Sequence, residues 1–172
     1  EARGGKTALY SEDRSMTFQA VCDEVNQVGN ALRKLGVGFA DCVGILSPDC
    51  AEWVTTFFAA AKIGATTLCM NTLLKPDEYD YVVRDSRVRV LVVHESLLAS
   101  IEAIRDNHAT LEHVIVIGQP TRSGDRSFVH WIVDESRLLD AEPTHRDDFC
   151  SLHYSSGTTG APKRIFQPPY KL

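Results

Sequence analysis

Short apolar runs alternate with longer stretches of helical periodicity between residues 17 and 117, and this alternation leaves few folds open. The runs Cys42–Leu46, Thr66–Met70, Val90–Val93 and Val114–Ile117 are nearly continuous rather than alternating, as in strands covered on both faces. Between them lie helical patterns. From Thr17 to Leu35, Phe18, Val21, Cys22, Val25, Val28, Leu32 and Leu35 recur at intervals of three and four, with Thr17 placed to cap the helix and Gly36 to stop it. A second helix is expected to take Asp49 as its N-cap, with Glu52 three residues on, and to bury a stripe of Trp53, Val54, Phe57, Phe58 and Ala61 before ending near Gly64. Pro76 opens a third helix with Tyr79, Val82 and Val83 facing inward, and Ser96–Arg105 reads as a fourth. Strands alternating with helices of this length predict βαβ units, hence an α/β fold with a mainly parallel sheet. The stretch 118–125, with Pro120, Ser123 and Gly124, is a loop. Gly36-Val37-Gly38 lies between a helix and a strand, and Asp41 stands where a third glycine belongs, so it is a helix-ending turn rather than a dinucleotide fingerprint.

The chain of 172 residues is long enough for one domain with its own core. Its net charge of −5 argues against nucleic acid as a partner, because phosphate-backbone affinity is built from clustered Lys and Arg. No apolar run approaches the ~20 residues of a membrane-spanning helix. The first residue is Glu1 and no secretory pattern follows it, which suggests that sequence is missing upstream. Five cysteines, Cys22, Cys42, Cys50, Cys69 and Cys150, are odd in number, widely spaced and mostly set in apolar surroundings, which reads as buried free thiols in a cytoplasmic protein. The six histidines show no spacing that sets two ligands on one helical face, so no metal site is assigned.

Chemistry concentrates after a strand expected at Phe149–Tyr154. There follows Ser155-Ser156-Gly157-Thr158-Thr159-Gly160-Ala161-Pro162-Lys163. Glycines permit backbone conformations in which successive N–H groups converge on an anion, hydroxyls add neutral donors, and Lys163 adds a charge suited to phosphate. Such a segment can cradle a triphosphate. It is not the common P-loop, because Gly157 and Gly160 have two residues between them rather than four and Pro162 precedes the lysine. A polar surface turn is the competing reading of the same composition.

The string Tyr154 to Lys163 resembles the phosphate-loop signature of the adenylate-forming, AMP-binding superfamily, which includes acyl-CoA synthetases, luciferases and the adenylation domains of peptide synthetases. The resemblance covers nearly the whole chain: Lys6-Thr7-Ala8-Leu9, Met16-Thr17-Phe18, Ala31-Leu32, Leu35-Gly36-Val37, Ser47-Pro48 and Lys62-Ile63-Gly64-Ala65 fit the same template. More narrowly, Asn71-Thr72-Leu73-Leu74, Tyr79, Tyr81, Asp85-Ser86-Arg87, Thr144-His145-Arg146-Asp147-Asp148 and the Ser155-Ser156 pair are similar to benzoate-CoA ligases.

The resemblance implies a ligase that joins a small carboxylic acid, aromatic and such as benzoate, to coenzyme A at the expense of Mg2+-bound ATP. It assigns Ser155, Ser156, Gly157, Thr158, Thr159, Gly160 and Lys163 to the β- and γ-phosphates, and no catalytic residue to this chain. The family's adenine-binding segment, ribose-binding Asp and catalytic lysine have no counterpart in the sequence, so the chain is expected to be an N-terminal portion that is inactive alone. Residues 1–163 fit the template. The family usually has a glycine, a β-branched run and a histidine after the lysine, whereas Arg164-Ile165-Phe166-Gln167-Pro168-Pro169-Tyr170 follows here, so 164–172 is expected to be an atypical tail. His153 replaces a usual apolar strand residue and is read as a local variation rather than a base. The rival readings are a non-catalytic nucleotide-binding or interaction module, and a piece of a luciferase-like or peptide-synthetase adenylation enzyme. Oligomeric state has no signature in the sequence.

Overall fold

The computed structural model describes residues 3–12, 14–155 and 162–168. Thr17 is extended and its hydroxyl accepts the Ala20 N–H at 3.1 Å, so helix α1 (Phe18–Lys34) starts where the sequence predicts. Gly36, at φ 79°, takes the left-handed turn that ends it. Ahead of α1, β1 (Thr7–Tyr10) and β2 (Ser15–Thr17) form a small antiparallel pair.

The main sheet contains β3 (Cys42–Leu46), β4 (Thr66–Cys69), β5 (Val90–His94), β6 (His113–Ile117), β7 (Arg126–Ser127), β8 (Ser151–Ser155) and β9 (Lys163–Gln167). Their spatial order is β7-β6-β5-β3-β4-β8-β9, and every pairing is parallel except β8 with β9. The sheet is covered on both faces, which is why its central strands read as unbroken apolar runs. Helices α1, α2 (Ala51–Lys62) and α5 (Phe128–Ile132) pack with Val43, Val90, Val92 and Ile115 on one face. On the other, α3 (Pro76–Ser86) and α4 (Leu98–Ile101) pack with Leu46, Leu68, Leu91, Val93 and Val116. Tyr79, Val82 and Val83 of α3 are buried as expected.

Four expectations are corrected. Helix α2 is capped by Cys50, whose Sγ accepts the Trp53 N–H at 3.4 Å, not by Asp49. Its buried face is Ala51, Thr55, Thr56, Phe57, Ala59 and Ala60, while Phe58 is 54% exposed and Trp53, Val54 and Ala61 are half-buried. Small residues let α2 lie close to the sheet and α1, and a charge contact fixes that choice: Thr55 donates to Glu24 Oε1 at 2.9 Å, and the Arg14 guanidinium reaches both Glu24 and Glu52, at 2.9 and 2.8 Å. The expected helix Ser96–Arg105 is broken into α4 between two short 3-10 turns. The strand expected from Phe149 begins at Ser151. Helix α5 and strands β7 and β9 are additional to the sequence reading. β9 ends at Gln167, directly before Pro168, as a residue without a backbone N–H requires.

Candidate functional site

The loops leaving β3 and β4 turn to opposite faces of the sheet, the first into α2 and the second into α3. Where neighbouring loops part in this way, a crevice opens beyond the carboxyl ends of the strands. A cavity of about 790 Å³ lies there. Ser47, Pro48 and Asp49 follow β3 into its wall, and Cys69, Met70, Asn71 and Thr72 close β4. His153, Tyr154 and Ser155 reach it from the end of β8. Trp53 of α2 and Glu78 and Val82 of α3 line the flanks, with Pro162 on the far side.

Helix α3 stiffens two of these walls. The Glu78 carboxylate accepts the Lys75 N–H at 2.8 Å, closing the first turn. The fully buried Tyr79 donates its hydroxyl to the Asn71 carbonyl at 2.9 Å, so the turn after β4 is held from below. Burial pushes the Cys69 thiol up to about 12 and raises the Tyr79 phenol. The Tyr154 phenol is raised as well, by burial first and then by its hydrogen bond to Asp85. Burial lowers His153, which therefore stands neutral near pH 7. These groups give the cavity shape and neutral hydrogen bonding; the thiol and phenols are protonated near neutral pH.

Of the residues assigned to phosphate, the described ones are Ser155 and Lys163, and Ser155 lines this cavity. Ser155 ends β8 and lines the wall, and Lys163 opens β9 directly opposite it in register, exposed to solvent. Ser156, Gly157, Thr158, Thr159 and Gly160 lie outside the described residues. Sequence reasoning missed Ser47, Asp49 and Glu78 as wall residues, because only the parallel stacking of β3 and β4 brings them together. It named Tyr81 and Asp85 through resemblance alone. Their positions explain them: Tyr81 donates to the Pro162 carbonyl at 3.3 Å and packs edge-on against Tyr154, and Asp85 accepts from Tyr154 at 2.6 Å.

Fold and site together place the molecule among doubly wound α/β proteins whose ligand crevice lies beyond the carboxyl ends of parallel strands. The family model described as "AMP-binding enzyme" matches residues 1–167, and the chain belongs to that family. It is 38% identical over 162 residues to a benzoate–CoA ligase of Thauera aromatica, covering 94% of this chain and 30% of the relative. A 3-hydroxybenzoate–CoA/4-hydroxybenzoate–CoA ligase of the same organism is 32% identical over 163 residues, covering 94% and 31%. Among solved structures, the anthranilate CoA ligase AuaEII in complex with anthranoyl-AMP superposes with a TM-score of 0.95 at 54% identity, over 97% of this chain and 32% of that one. The chain thus spans about 30% of the length of the relatives it matches. The family match runs through residue 167 and so takes in 164–167 of the stretch 164–172 that the resemblance set apart as an atypical tail.

Proposed function

We propose that this chain supplies the triphosphate-holding part of an ATP-dependent carboxylic acid–CoA ligase whose acid is aromatic and benzoate-like. In that reaction the carboxylate attacks the α-phosphorus of ATP, pyrophosphate leaves, and the thiol of coenzyme A then displaces AMP from the acyl-adenylate. Ser155, Ser156, Gly157, Thr158, Thr159, Gly160 and Lys163 hold the β- and γ-phosphates, neutralising charge and fixing the leaving group without forming a bond to it. Bound Mg2+ would neutralise further phosphate charge. The observation that carries the reading is that both flanks of the loop, Ser155 and Pro162, line the cavity beyond β3, β4 and β8. Similarity to benzoate, hydroxybenzoate and anthranilate CoA ligases supports the aromatic acid. Without the adenine, ribose and catalytic-lysine segments that the resemblance calls for, the chain by itself forms no acyl-adenylate.

The test is calorimetric titration of the chain with inorganic tripolyphosphate. Lys163→Ala should weaken binding by roughly 1.5–3 kcal/mol, the worth of a hydrogen bond to a charged group, while leaving the melting temperature unchanged because the side chain is exposed. Equal affinity of parent and variant refutes the phosphate assignment.

A further inference from the structure

One carboxylate of α3 sits where the two strands that carry the loop come together. Asp85 accepts the Tyr154 hydroxyl at 2.6 Å on Oδ2, and the same oxygen lies 3.0 Å from Arg164 Nε. Arg164 also donates to the Asp85 main-chain carbonyl at 3.4 Å. Tyr154 and Arg164 face each other across β8 and β9, one step outside the Ser155–Lys163 pair from which the loop departs. One step inside, Tyr81 of the same helix holds the Pro162 carbonyl. Helix α3 therefore grips the root of the loop on both strands, and its first turns line the cavity through Glu78 and Val82.

We infer that Asp85, acting through Tyr154 and Arg164, is a positioning residue that fixes Ser155 and Lys163, the two described phosphate residues, relative to each other. The inference rests on the phosphate reading above and adds to it a residue that touches no phosphate. A carboxylate shared by a hydroxyl donor and a guanidinium is charge-assisted on both sides, which makes it directional. The guanidinium is held from its other side too, 5.9 Å above the Phe166 ring. Displacing either strand by a fraction of an ångström moves Ser155 and Lys163 relative to each other and so away from the geometry a shared ligand needs.

The experiment is a double-mutant cycle read by calorimetric titration with inorganic tripolyphosphate on the 172-residue chain, well below the melting temperature of each variant. Asp85→Ala should weaken binding about tenfold, the size of a coupling within one hydrogen-bonded network, and lose most of that effect once Lys163→Ala is present. Arg164→Lys should retain most of the parent affinity and Arg164→Ala should not. A fully additive Asp85→Ala effect would mean general loosening of the fold and would overturn the inference. So would Asp85→Ala binding like the parent while Lys163→Ala binds worse, and that result leaves the phosphate reading intact. Failure of the parent to bind, or equal binding by Lys163→Ala, overturns the phosphate reading and this inference with it. Should Asp85→Ala fail to fold, Tyr154→Phe and Arg164→Ala each sever one arm of the same contact, and parent-like affinity in both overturns the role.

Discussion

Replacing Thr67 by valine should stabilise the protein, an unusual sign for a change at a fully buried position. Thr67 lies in β4 between Val43 of β3 and Ser151 of β8, its register partners. Its hydroxyl is buried and has no hydrogen-bond partner among the described residues, and the same holds for Thr56 of α2. An unpaired buried hydroxyl costs about 1–3 kcal/mol in desolvation. Valine keeps the branched shape, puts a methyl group in place of the hydroxyl and removes that cost, so a net gain of about 1 kcal/mol is expected. For a chain of this length that corresponds to a rise of roughly 2–4 °C in melting temperature. Ser151→Ala should come out near neutral, since the hydroxyl it removes leaves a small void. Because the two positions are register partners, the double variant should depart from additivity. The assay is urea unfolding followed by circular dichroism, with the slope checked to be unchanged so that a shifted midpoint reports stability. A lower midpoint for Thr67→Val would refute the reasoning and mean that internal water satisfies these hydroxyls.

Other changes have different signatures. Gly44→Ala would set a Cβ 2.9 Å from Val88 Cγ2 and 3.0 Å from Leu91 Cδ1 in the buried centre of the sheet, and should cost roughly 1–3 kcal/mol by overpacking in the same unfolding assay. His153 sits below its ordinary value near 6.5 in the folded chain, so the unfolded chain binds the extra proton first; stability should be level above pH 6.5 and fall as pH drops below it. His153→Leu should flatten that slope in pH-dependent melts, and an unchanged slope would exclude His153 as its source. Cys22 is exposed, whereas burial raises Cys42 and Cys69 to about 12, so iodoacetamide at pH 8 should label Cys22 well before those two by mass spectrometry.

What the sequence made legible is what is local. Thr17 and Gly36 bound α1 because a cap and a left-handed stop act within one turn. Pro76 opens α3, and the unbroken apolar runs are the doubly covered strands β3, β5 and β6. The face of α2 was not legible, because hydrophobic bulk ranks Trp53 and Phe58 above Ala59 and Ala60 while the sheet selects for close approach. Trp53 instead stacks on Phe57 at 5.4 Å and walls the cavity. Helix α5 has Phe128, Trp131 and Ile132 at helical spacing, but five residues are too few to display a period. The composition of the glycine- and hydroxyl-rich segment left a phosphate cradle and a polar turn both open, only the resemblance chose between them, and residues 156–161 lie outside the described ones. The grip of Asp85 on Tyr154 spans 69 positions, and no window of sequence contains both.

The antiparallel return of β9 has a practical consequence for engineering. β8 delivers the chain to the cavity, and β9 carries it back along the sheet edge, so Gln167 lies about 14 Å from Lys163 at the spacing of an antiparallel strand. A reporter or affinity handle joined just beyond Pro168 would therefore start from the end of the sheet remote from the cavity, and tripolyphosphate titrations on such a fusion should match those on the untagged chain. A handle inserted between Ser155 and Lys163 would start at the mouth.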